Sequence, residues 1–209
     1  MVNLDVFTLL INGLTLSLAL GFLLIIIWQN PQKRQNQAFA VFIIFIVVWN
    51  LGSILLRSTE LTDIGIDFYN IALSIMEIGF IGASVSVYVM TTVLIGNQSR
   101  RFQYLAYISL IFVALPRFFL IVNGNIDNEN VGISTEVSGN FQPLFFLFFL
   151  MFDGISLYLI WRYRRKVRSR GLVTGIVIFL AGQGLIFVNP ELVVSAFSTN
   201  VSAMGALII

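Results

Sequence analysis

Neither cysteine nor histidine occurs among the 209 residues. The first absence excludes disulfides, thiolate metal sites, iron–sulfur clusters and cysteine nucleophiles. The second removes haem ligation, histidine-bound zinc, a histidine general base and any histidine-to-chlorophyll bond within the chain. Catalysis is therefore not expected of this region. Charge is scarce too: 11% of residues are Asp, Glu, Lys or Arg against 58% apolar, which leaves too little polar surface to cover a soluble domain. No basic stretch precedes the first apolar run at residues 6–28. That run is too long for the core of a signal peptide and reads as a retained helix. There is no internal repeat and no low-complexity tract.

What is present is a series of seven apolar stretches, each roughly 18 to 28 residues long and each able to cross a hydrocarbon core of about 30 Å as a helix. Polar connectors separate them, and charge is sorted between the connectors by sign. The first, third and fifth carry Lys33 and Arg34, then Arg100 and Arg101, then Arg162, Arg164, Arg165, Lys166, Arg168 and Arg170, with no acid among them. The N-terminus and the remaining connectors carry Asp5, Glu60, Asp63, Asp67, Asp127, Glu129, Glu136 and Glu191, with Arg57 at their margin. Bases favour the cytoplasmic side. The expectation is an all-α integral membrane protein, a single bundle of seven transmembrane helices over residues 1–209, with the N-terminus outside and the C-terminus cytoplasmic. It is placed as a multi-pass protein of the cytoplasmic membrane. The net charge of +2 belongs to loops beside helix ends, where anionic lipid attracts it, so no nucleic-acid partner is expected.

The predicted helices cover residues 6–28, 38–56, 68–95, 103–122, 142–161, 171–188 and 191–209. Asn30-Pro31 stops the first, and the short hairpin makes it a neighbour of the second. The third, at about 42 Å for a 1.5 Å rise, has to tilt or enter the head-group region. Residues 123–140, rich in Asn, Gly, Ser and acids, read as one long outer loop. The seventh helix reaches Ile209 still apolar, without the basic or aromatic anchors usual at an inner interface, so the chain is expected to be the front part of a longer one.

Three ionisable residues fall at membrane depth: Glu77, Arg117 and Asp153. Each costs roughly 2.5 to 3.5 kcal/mol on insertion scales and so needs a reason to be there. All three belong to the outer half of their helices, and Arg117, the one deep base, can pair with either carboxylate across the bundle. Three readings remain open: a buried ion pair joining the third, fourth and fifth helices, a ligand site opening outward, or protonated acids facing water-filled gaps. Pro116 frees a backbone carbonyl and permits a kink beside Arg117. Trp49 and Asn50 are the supporting residues. Asn12, Asn50, Asn70, Gln183 and Asn200 suit bonds between helices, and Gly79 with Ala83, like Gly171 with Gly175, has the small-residue spacing of close helix approach. The run Phe145, Phe146, Phe148, Phe149 and Phe152 covers more than one face, which fits lipid contact and packing better than a pigment groove.

Seven helices with an external N-terminus invite a rhodopsin reading, but retinal needs a lysine inside the bundle. Lys33 and Lys166 are both in inner connectors, so retinal is excluded, and no other cofactor is expected. The signatures of G-protein-coupled receptors are missing: no Asp-Arg-Tyr follows the third helix, no disulfide cysteine exists, and no Asn-Pro-x-x-Tyr lies in the seventh.

The stretch Ala38-Phe39-Ala40 through Val48-Trp49-Asn50-Leu51-Gly52-Ser53, with the short outer loop and the long third helix ending before Arg100-Arg101, resembles a bacterial module. It is similar to the seven-helix N-terminal region of membrane sensor histidine kinases, where a Trp-x-Leu-Gly-like segment of the second helix has a like setting. Leu159-Ile160-Trp161-Arg162-Tyr163-Arg164-Arg165 leading into Gly171, and the Asn189-Pro190 turn, extend the resemblance over most of the chain. It implies a sensory input domain whose seventh helix continues into a cytoplasmic kinase or cyclase output of a two-component or related signalling system. Any such catalysis lies beyond Ile209, since without histidine no phosphorelay occurs within these residues. The expected partners are the lipid bilayer, a small ligand of unknown identity, and a second copy or partner membrane subunits. A non-catalytic subunit of a larger membrane complex, binding helices, lipids or pigments, and a small transporter are the rival readings.

Overall fold

The computed structural model describes residues 4–62, 66–96, 100–122, 138–163 and 170–188. Six helices are found there, with no strand among the described residues: α1 Leu4–Gln29, α2 Arg34–Thr62, α3 Ile66–Leu94, α4 Arg100–Val122, α5 Ser138–Tyr163 and α6 Arg170–Val188. The seventh helix expected at residues 191–209, and residues 123–137 of the expected outer loop, lie outside the described residues. Among the described residues three segments are long and apolar enough to cross a membrane, Leu9–Gln29, Arg34–Ser58 and Phe68–Leu94.

Helix α2 starts four residues before its apolar run and ends six after it, and α5 starts at Ser138 rather than at residue 142. Hydropathy marks only the part of a helix that lies in hydrocarbon. The backbone N–H and C=O groups continue to need partners in the polar zone beyond it, and the helix supplies them. The α1–α2 turn is closed by the Lys33 N–H donating to the Asn30 carbonyl (3.4 Å) and by Asn36 Nδ2 donating to the same oxygen (2.9 Å). At the same end of the bundle α3 ends at Leu94, and the following Gly96 has a φ of 82°, the left-handed conformation that favours glycine after a helix. The Gly96 N–H donates to the Val93 carbonyl (3.1 Å).

Helix α1 is built inside out relative to a soluble protein. Asn12, Thr15 and Ala19 face inward, with Asn12 and Thr15 at 0% exposure, while Leu24 and Trp28 are 70% and 90% exposed. A polar face turned to the core and a leucine-rich face turned outward suit an apolar solvent. Helix α4 likewise exposes Phe102, Leu105, Ile108, Phe112 and Phe119 and, among its described side chains, buries only Ala106 and Leu110.

Helix α3 is the centre of the bundle. Residues 79–87 are buried on every side, and α3 contacts α2, α4 and α5. Its tightest partner is α2. A Cβ on Gly79 would collide with the Trp49 backbone, and one on Gly52 with the Met76 backbone, so each helix offers a glycine to the other's main chain. Gly82 receives the Phe45 ring in the same way. The sequence spacing noted at Gly79 thus lies on a close approach, and Gly52 and Gly82 complete it. Helix α6 reaches this pair through Phe179, whose ring stands edge-on to Phe42 (5.4 Å) and Trp49 (6.2 Å).

Candidate functional site

Most hydroxyls in the bundle are bonded to their own helix. Thr15, Ser58, Ser74 and Ser156 donate to the carbonyl four residues back, and Ser86, Thr92 and Ser109 to the one three back. Such groups are satisfied without a partner helix. Asn50 behaves alike, its Nδ2 donating to the Ile46 carbonyl (2.8 Å), so it does not bridge helices through that bond. Asn12 does bridge: its Nδ2 donates to Ser53 Oγ on α2 (2.7 Å). The side chain of Gln183 and the whole of Asn200 lie outside the described residues.

Against this background one seam stands out. Asn70, Glu77, Ser84 and Thr91 recur every seven residues along α3, close to two turns, so they share one stripe. Asn70, Ser84 and Thr91 are buried and Glu77 is half-buried. Helix α5 lies along this side: the Tyr88 ring, one turn beyond Ser84, meets Phe152 edge-on at 5.4 Å, and the Ser84 hydroxyl donates to the Asp153 carboxylate. Phe148, one turn earlier on α5, stacks obliquely on Phe152 at 4.8 Å. The Asp153 carboxyl group therefore lies on the side of α5 that faces α3.

Its bonding is incomplete. Asp153 Oδ1 is buried and has no hydrogen-bond partner among the described residues, and Thr91 Oγ1 further along the stripe shares that condition. A buried acceptor left unpaired costs about 1–3 kcal/mol, more when charged. The seam thus holds a carboxyl oxygen open to a hydrogen bond with water or another small polar molecule. No three acidic residues stand together as a metal cage among the described residues.

The other expected site residues fall elsewhere. Glu77 is partnered within the protein and lies seven residues from Ser84, about 10 Å along the helix axis, so Asp153 and Glu77 occupy different levels of the seam. Helices α3 and α4 are joined near their other ends by Gln103 Nε2 donating to Thr92 Oγ1 (3.4 Å). Counting from that bond along the two antiparallel helices brings the Arg117 backbone roughly level with Glu77; the Arg117 side chain lies outside the described ones. Pro116 is exposed, as is Phe112, whose carbonyl loses its N–H partner to the proline. Helix α4 runs on through Pro116, and the hydrogen bond that it lacks faces the outer surface of the bundle. Trp49 is buried against Phe80 (5.4 Å) and Phe179, a packing position at the α2–α3–α6 junction.

Sequence reasoning missed Ser84, Tyr88 and Thr91. The signal was available as the seven-residue recurrence on α3, which is masked by the many other small and hydroxyl residues of that helix. Comparison of the chain with protein-family models, with curated proteins and with solved structures finds no match.

Proposed function

We propose that this chain is the membrane-embedded input domain of a bacterial signalling protein, a multi-pass bundle of the cytoplasmic membrane with its N-terminus outside. The observation that carries the reading is the orphaned Asp153 Oδ1 beside Ser84 on the α3–α5 seam. A buried polar group with unmet bonding is a point where a small donor molecule, or a rearrangement of helices, gains free energy in one state and not in another. Only such a differential shifts a population between conformations. The interlocked α2–α3 pair is the fixed frame, and α5 is the element that moves against it. Helix displacement would pass through the following helices to a cytoplasmic output, as the resemblance to sensor histidine kinases implies.

The absence of cysteine makes a direct test available. Spin labels on Ile44→Cys in α2 and Leu157→Cys in α5, both exposed positions, report motion of α5 against the frame. A pair of Ile44→Cys in α2 and Ile71→Cys in α3, both exposed, reports the frame itself. Two distance populations for the first pair, redistributed by Asp153→Asn, with one population for the second, support the switch. A single unchanged distance for both pairs, in wild type and variant, rejects it. Purification in fixed stoichiometry with other membrane chains would replace the sensor with the subunit reading, and substrate uptake by proteoliposomes with the transporter.

A further inference from the structure

At the end of the bundle where α2 and α4 begin and α3 ends, the three helices leave a cavity of about 360 Å³, within the roughly 300–1,000 Å³ usual for small-molecule sites. Its mouth and depth differ in chemistry. Arg34 and Arg100, with Gln37, Gln103 and Tyr104, supply charge and hydrogen-bond donors, whereas Val41, Val89 and Val93 supply an apolar wall. Among the described residues no acid lines it. Arg34 and Arg100 are the first residues of α2 and α4, and Val41 and Tyr107 each lie seven residues further in, about 10 Å deeper. The cavity thus runs from a basic rim into the apolar body of the bundle.

Both arginines stand at helix N-termini. A helix N-terminus carries roughly half a positive charge and first-turn N–H groups without intrahelical acceptors, so a base there is repelled where an acid would be attracted. Two such ends, each opening on an arginine, converge on one cavity. An anion placed between them accepts from both guanidinium groups and is favoured by the positive ends of both helices.

We propose that this cavity binds the phosphate of an anionic phospholipid, with the glycerol and upper acyl segments along Val41, Val89 and Val93. The apolar wall decides between sources of phosphate, because a free phosphate ion gains nothing from valine whereas a lipid satisfies both halves of the cavity. Basic pockets between membrane helices hold lipid head groups elsewhere on the same principle. The site is independent of the α3–α5 seam, and its test leaves that reading untouched.

The test is native mass spectrometry and thermal unfolding of the purified chain with phosphatidylglycerol, phosphatidylcholine or inorganic phosphate. Wild type is expected to retain one phosphatidylglycerol and to melt several degrees higher with it than with phosphatidylcholine, while inorganic phosphate has little effect. The variant Arg34→Gln/Arg100→Gln is expected to lose about tenfold in affinity for phosphatidylglycerol, or about 1.4 kcal/mol. Arg162→Gln, at an exposed base of α5 outside the cavity, should retain wild-type affinity. Should the double variant fail to fold, Val93→Phe fills the apolar wall with the arginines intact and is expected to displace the lipid. Equal protection by phosphatidylcholine, equal loss in Arg162→Gln, or full protection by inorganic phosphate alone would each overturn the lipid assignment.

Discussion

Asn12 and Ser53 show how a single polar contact is weighted in this bundle. The bond between them is buried and short, yet in a membrane protein such a bond contributes on average about 0.6 kcal/mol, because the separated helices also find partners. Asn12→Leu is therefore expected to lower stability by no more than about 1.7 kcal/mol, measured by reversible denaturation in mixed micelles. Gly79 is different. A side chain there has nowhere to go but into the Trp49 main chain, so Gly79→Ile forces α2 and α3 apart at a cost above the usual 1–3 kcal/mol of overpacking. Loss of a folded monomer on size exclusion checks it, and wild-type behaviour would show that the close approach is dispensable. At Asp153 the expected order is set by unmet bonding. Asp153→Asn keeps an acceptor for Ser84, whereas Asp153→Leu strands that hydroxyl, so a helix-distance change in the first without loss of fold separates switching from scaffolding.

Elements differ in how firmly they are joined. Helices α2 and α3 share the most extensive contact, and α5 meets α6 at few points. The reason lies in side-chain size: glycine at positions 52, 79 and 82 permits main-chain contact between α2 and α3, while α5 meets α3 through Phe148, Phe152 and Tyr88. Large rings hold axes apart and leave room for rearrangement. Among the described side chains of α6, the Phe179 ring is fully buried, with Ile176 and Leu180 buried beside it. Phe179→Ala is expected to cost roughly 3–5 kcal/mol by cavity formation and to loosen α6 from Phe42 and Trp49. A denaturation midpoint unchanged from wild type would mean that α6 is held elsewhere. The extents of α1, α3, α4 and α6 were legible within a few residues, since apolar runs and the Asn30-Pro31 stop mark where helices enter and leave hydrocarbon. The early starts of α2 and α5 were not, because hydropathy says nothing about helix that continues through polar sequence.

At the scale of the whole molecule, the proposed orientation rests on bases collecting in alternate connectors. Single cysteines at Gln32 and Arg162 are expected to resist a membrane-impermeant maleimide in intact cells, and one at Asn128 to react. Labelling of the Arg162 position from outside would reverse the topology and with it the proposed output side. The sequence by itself determined that long apolar helices make this chain and that its charges are sorted by connector, because crossing lipid is a demand on composition and length that each segment meets alone. It also placed Glu77, Arg117 and Asp153 among the residues needing an explanation, for the same reason. Only the tertiary structure decided that Asp153 bonds to Ser84, that Glu77 stands two turns away from it, and that Arg34 and Arg100 share one cavity. Those facts depend on which helices are neighbours and at what rotation and height they meet, and these are settled by glycine-sized gaps and ring packing between segments far apart in the chain.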